Sequence, residues 1–90
     1  MRDTRKLGKE CDEALFRAVK DVLATEGAEK IDCSYGVGGS QEIRVWTFSI
    51  GREVLKVTAE TYMGLSIEGD AEVATRIATA VQARLGRQGD

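Results

Sequence analysis

Few residues in this chain have the types and spacing that chemistry needs. Histidine is absent, which removes the usual general base and the commonest zinc ligand. Metal ligation would rest on carboxylates, and the densest set, Glu10, Asp12 and Glu13, lies near the start of the first predicted helix, where Glu10 and Glu13 share a solvent face and compensate the helix dipole, so solvation is the better reading. Cys11 and Cys33 are two thiols without CxxC or zinc-type spacing. Each falls on an apolar position of its predicted element, so both read as buried and reduced. A reactive thiol would need a neighbouring cation and access to solvent. Serine nucleophiles lack a base partner, and the one carboxylate pair with any claim to acid-base work, Glu60 and Glu68, has nothing in the sequence to hold it around a cleft.

The segment Gly36-Val37-Gly38-Gly39-Ser40 resembles a phosphate loop only in its glycines. Such a loop leads into a helix whose N-terminus faces the anion, whereas here Gln41, Glu42 and a second alternating run follow. A flexible hairpin loop is the better reading. The chain is therefore expected to be non-enzymatic, with no cofactor and no metal; a small enzyme with a carboxylate-based site is one alternative.

The elements that position these residues are best read outward from Ile43 to Ile67. Gly51-Arg52 separates two alternating runs, Ile43 to Ile50 and Glu53 to Glu60, and glycine as first turn residue suits a tight hairpin of type II′. That turn pairs Ile50 with Glu53, Phe48 with Leu55, Trp46 with Val57 and Arg44 with Ala59. Trp46, Phe48, Leu55, Val57 and Ala59 then share a core face, while Ile43, Val45, Thr47, Ser49, Val54, Lys56, Thr58 and Glu60 share the other. A slip of one residue would push the aromatics into water, so the pattern specifies the register as well as the strands.

Before this hairpin, Leu7, Cys11, Ala14, Leu15, Ala18, Val19, Val22 and Leu23 recur at helical spacing and predict an amphipathic helix over residues 7–26, capped early by Thr4 and stopped by Gly27. Phe16 projects to the edge of its stripe and is expected to close over the sheet rim or to anchor a contact. Lys30 to Val37 alternates as a first strand, with Ile31, Cys33, Tyr35 and Val37 on one side. Beyond the hairpin, residues 61–64 turn the chain, with Tyr62 and Met63 near the turn, into a fourth short strand in which Met63, Leu65 and Ile67 alternate with Gly64, Ser66 and Glu68; one long strand from Leu55 to Ile67 is the alternative, disfavoured by Gly64 and the polar Glu60-Thr61 break. Asp70 then caps a last helix with Val73, Ala74, Ile77, Ala80, Val81 and Leu85 on its buried stripe, ending at Gly86. Arg84 lies toward the buried side, its stem over apolar surface and its head in water.

These elements predict an α+β two-layer sandwich in the order α-β-β-β-β-α, an antiparallel meander with both helices on one face. Ninety residues suit a single domain over 1–90, with residues 1–6 and 87–90 as flexible tails. An apolar fraction of 42% and a charged fraction of 31% are those of an ordinary soluble globular protein. No signal-peptide pattern opens the chain and no apolar run is long enough to cross a bilayer, so a cytoplasmic setting without membrane contact is expected.

Two surfaces remain to be ranked. If both helices cover the aromatic face, the opposite face is bare, and Ile43, Val45, Thr47, Val54, Lys56 and Thr58 become a candidate binding or dimer surface, with Arg44, Lys56 and Glu60 as nearby polar contacts. The second surface is basic. Residues 1–9 carry a local charge of +3 within a chain of net charge −2, and Arg2, Arg5 and Lys6 approach Arg84 and Arg87 if the helices pack antiparallel. A nucleic-acid-associated protein using these termini is a further alternative, weakened because neither helix is basic along one face. The favoured reading is a small protein that binds another protein, or itself as a homodimer, through an open sheet face or edge. Inhibitors and immunity or anti-defence factors carried on mobile DNA are of this kind, an expectation drawn from size alone.

Overall fold

The structure is a computed structural model that describes residues 2–9, 12–39, 41–61 and 64–88, the side chains of residues 87 and 88 excepted. In chain order the elements are β1 (Arg2–Gly8), α1 (Glu13–Thr25), β2 (Glu29–Gly38), β3 (Gln41–Ile50), β4 (Glu53–Glu60), β5 (Gly64–Asp70) and α2 (Ala71–Gln88). They form a two-layer α+β domain in which one antiparallel five-stranded sheet has the order β1-β5-β4-β3-β2. The meander from β2 to β5 is the one the alternation predicts, and the β3–β4 register is the expected one at all four predicted pairs. Gly51 adopts φ 58, the positive angle that the first residue of a primed hairpin turn requires.

The fifth strand is the departure from the sequence reading. Residues 2–6, expected as a tail, belong to β1 and pair with β5 from Arg2↔Asp70 to Lys6↔Ser66. Leu7 and Gly8 belong to the same strand and are not the first turn of a helix. The helix starts one element later because Asp12, not Thr4, caps it: its carboxylate accepts the Leu15 N–H at 3.0 Å, satisfying one of the donors a helix start leaves free. Its end is as expected. Gly27 has φ 76, and the Gly27 and Ala28 amides donate to the Ala24 and Leu23 carbonyls at 3.1 and 2.9 Å, the bonding of a glycine-closed helix end.

Asp70 does cap α2, accepting from the Glu72 and Val73 amides at 3.2 and 3.3 Å. The helix runs through Gly86 to Gln88 instead of stopping, because one glycine costs a helix only about 1 kcal/mol and nothing crowds this one. Leu15, Ala18, Val19, Val22 and Leu23 of α1 and Val73, Ala74, Ile77 and Val81 of α2 bury against Ile50, Leu55, Val57, Leu65 and Ile67. Ala80 and Leu85 are only partly covered. α2 lies over β1, β5 and β4, and α1 packs beside it. The helical layer is therefore centred toward β1, and β2 extends beyond it.

Candidate interaction surface

β2 is exposed at every position but Gly36. Three of its apolar side chains stand in water, Ile31 at 56%, Tyr35 at 54% and Val37 at 62% relative exposure. The register explains their placement. Cys33↔Trp46, Tyr35↔Arg44 and Val37↔Glu42 put Cys33, Tyr35 and Val37 on the same face as Trp46, since directly opposed residues share a face. That is the helix-bearing face, but no helix reaches this far. Cys33 is consequently an exposed free thiol, which overturns its expected burial. Ile31 is displaced by a register shift between Lys30 and Asp32, a bulge of the kind that edge strands carry. After Asp32 the strand has no charged residue through Gly38, in contrast to β1, the opposite edge, whose Arg2, Asp3, Arg5 and Lys6 protect it from pairing.

β3 records where the helical layer ends. Its helix-side residues pass from exposed Arg44 through half-buried Trp46 and Phe48 to buried Ile50. Phe16 of α1 leans over this boundary and meets Trp46 with ring centroids 5.1 Å apart at 54°, a tilted aromatic contact. It closes over the sheet rim as its place at the stripe edge suggests. Between α1 and β3 runs an open groove in two adjoining parts. The outer part, of about 750 Å³, lies among Asp12, Glu13, Arg17, Glu42, Arg44 and Thr61. The inner part, of about 500 Å³, lies among Leu23, Ala28, Lys30 and Phe48. Both share Phe16, Lys20, Arg44 and Trp46. Two cations lie against aromatic rings here: Lys20 Nζ is 5.7 Å from the Phe16 centroid, and Arg44 Cζ is 5.1 Å from that of Tyr35, within cation–π range.

On the bare face the predicted residues do gather. Ile43, Val45, Thr47 and Val54 lie opposite Glu60, Thr58, Lys56 and Ser49 respectively, so Ile43, Val45, Thr47, Val54, Lys56 and Thr58 share one surface, joined by Ser66 and Glu68 of β5. Its apolar members lie toward β2 and its charges toward β1. Ile43 and Val54 are exposed, whereas Val45 is half-buried. Arg44, expected beside this face, instead projects to the helix side with Tyr35 and Ala59.

Among the described residues, the predicted basic positions form no common patch. Arg2 and Lys6 lie on the bare face opposite Asp70 and Ser66, and Arg2 is 3.6 Å from Glu68. Arg5 lies on the helix side, where it holds Asp3 at 2.9 Å and donates to Thr75 of α2 at 3.0 Å. Arg84 reaches Asp21 of α1 at 3.6 Å, as its expected outward-reaching head allows. Of the carboxylates, Asp12 is occupied as a cap, and Glu60 and Glu68 belong to different rungs of the sheet, opposite Gly64 and Lys56. That places them about 13 Å apart along the strands at ~3.3 Å per residue. No group of three or more cysteines and acids able to hold a metal occurs among the described residues. Glu10, Cys11, Tyr62 and Met63 lie outside those residues, as does the Arg87 side chain.

In the sequence, Lys20 and Lys30 stand out only as polar positions. Their role in the groove has one legible signal, the placing of Phe16 at the edge of its stripe with Lys20 one turn further along. No described helix is long and apolar enough to cross a membrane. Compared with protein-family models, with curated proteins and with solved structures, the chain matches none of them.

Proposed function

We propose that this protein is a non-enzymatic protein-binding module that engages its partner through the overhanging strand β2 and the sheet surface beside it. The observation that carries the reading is the exposure of Ile31, Tyr35 and Val37 on an edge strand whose second half has no charge. Large apolar side chains on an open edge invite another chain to pair, and folded proteins ordinarily suppress that with charges or a cover, as β1 does here. A strand left in this state suits β-strand addition, in which the partner's main chain extends the sheet and alternate side chains supply specificity. Ile43 and Val54 are exposed separately, on the opposite, bare face.

The test compares wild-type protein with a Tyr35→Lys/Val37→Lys variant and with Val45→Glu, each checked for folding by circular dichroism. Capture of the partner from an extract of the native cell is expected to disappear in the edge variant, and light scattering distinguishes a second copy from a different protein. If the wild type is a dimer and the folded edge variant a monomer, the partner is the protein itself. Undiminished capture by a folded edge variant would overturn the reading.

A further inference from the structure

The charges of the groove are arranged by depth. Its outer part is balanced, with Asp12, Glu13 and Glu42 beside Arg17, Lys20 and Arg44. Its inner part contains Lys20, Lys30 and Arg44 and, among the described residues, no acid, against apolar walls from Phe16, Leu23, Ala28, Trp46 and Phe48. The cations are contributed by α1, β2 and β3 respectively, so three separate elements direct positive charge at one concavity. None of the three has a carboxylate partner among the described residues.

We infer that this groove receives an acidic segment of the partner that carries an apolar anchor, the anchor resting on Phe16, Trp46 and Phe48 and its carboxylates meeting Lys20, Lys30 and Arg44. The inference rests on the protein-binding reading and names the chemistry of the partner. Charge complementarity selects the occupant: three cations without carboxylate partners around an aromatic floor favour carboxylates flanking an apolar side chain, and a basic segment would meet only repulsion in the inner part. A groove of about 500 to 750 Å³ has the volume of a small-ligand site, and its open side leaves room for the segment to continue past α1 toward β2. Tryptophan and arginine, both present here, are among the residue types enriched in interface hot spots.

Trp46, the only tryptophan, forms the floor and reports occupancy directly. The experiment is a titration of Trp46 emission with a short synthetic peptide that has a leucine–phenylalanine centre flanked by glutamates. The same peptide with lysines and a single-stranded oligouridylate serve as comparisons. The acidic peptide is expected to shift the emission saturably and to bind at least about tenfold tighter than the lysine peptide, with an affinity that falls as salt rises. Lys20→Glu/Lys30→Glu changes two exposed side chains and is expected to weaken the acidic peptide at least about tenfold, while Ala83→Glu on the exposed side of α2 leaves it unchanged. Equal binding of both peptides, or indifference to the lysine reversals, overturns the inference. Tighter binding of the oligouridylate through the same lysines overturns it in favour of a nucleic-acid ligand. If no peptide moves Trp46 while Tyr35→Lys/Val37→Lys still abolishes partner capture, the groove inference fails and the protein-binding reading stands.

Discussion

Gly64 fastens β1 to the sheet, and replacing it with alanine measures how firmly. Its φ of 97° is one that L side chains rarely adopt, and a β-carbon there would collide with the Gly8 carbonyl oxygen and the Lys6 side chain. The lysine can swing aside, but the carbonyl is backbone of β1 and cannot. Two costs therefore add: about 1–2 kcal/mol for a non-glycine residue at positive φ, and about 1–3 kcal/mol for forcing β1 off its neighbour. Gly27→Ala isolates the first cost, because Gly27 also has positive φ, 76°, but a β-carbon added there would meet nothing within 4 Å. In a domain of this size each kcal/mol lowers the melting temperature by about 4–8 °C. Thermal unfolding followed by circular dichroism should then place Gly64→Ala about 4–24 °C below Gly27→Ala. Equal melting temperatures would refute the reasoning, since they would mean that β1 does not lie against β5 at Gly8.

Three further outcomes follow from the same packing. Asp12→Ala removes the carboxylate that accepts the Leu15 N–H and should cost about 1 kcal/mol in urea unfolding, whereas Thr4→Ala, in β1 and exposed, should cost less than about 0.5 kcal/mol. Ile77→Ala empties a fully buried position beneath α2 and should cost about 2–5 kcal/mol by the same assay. In a Cys11→Ser background, Cys33 should react with a maleimide in the folded protein without denaturant; a thiol that reacts only after unfolding would contradict its exposure.

The parts of the fold that were legible in the sequence are those where one residue type permits one local structure. Gly51 between two alternating runs sets the β3–β4 register, and Asp70 ahead of an apolar stripe sets the start of α2. β1 was illegible because Arg2, Asp3, Thr4, Arg5 and Lys6 contain no apolar residue to alternate: an edge strand keeps its charges, and here Asp3 and Arg5 satisfy each other beside Thr75. Leu7 compounded the difficulty by falling in helical phase with Leu15 and Ala18. The missed strand had a second consequence. With β1 on the sheet, α2 covers the β1–β5 side and the helical layer falls short of β2, so the alternation of Cys33, Tyr35 and Val37 marks a shared face without marking burial. Alternation in a sequence assigns side chains to faces, and only the placement of the helices decides which part of a face is dry.

The bare surface around Ile43, Val45 and Val54 was legible for the same reason as the hairpin, while the groove was not. It is built from Lys20, Lys30 and Arg44 on three elements, and their convergence depends on how far α1 lies from β3. The most direct test of protein binding through β2 is site-specific photocrosslinking in the native cell, with a photoreactive residue at Val37 on the overhanging strand or at Ala83 on the exposed side of α2. A discrete protein adduct is expected from position 37 that position 83 does not give. Adducts from position 83 alone, or the same adducts from both, would contradict binding through β2.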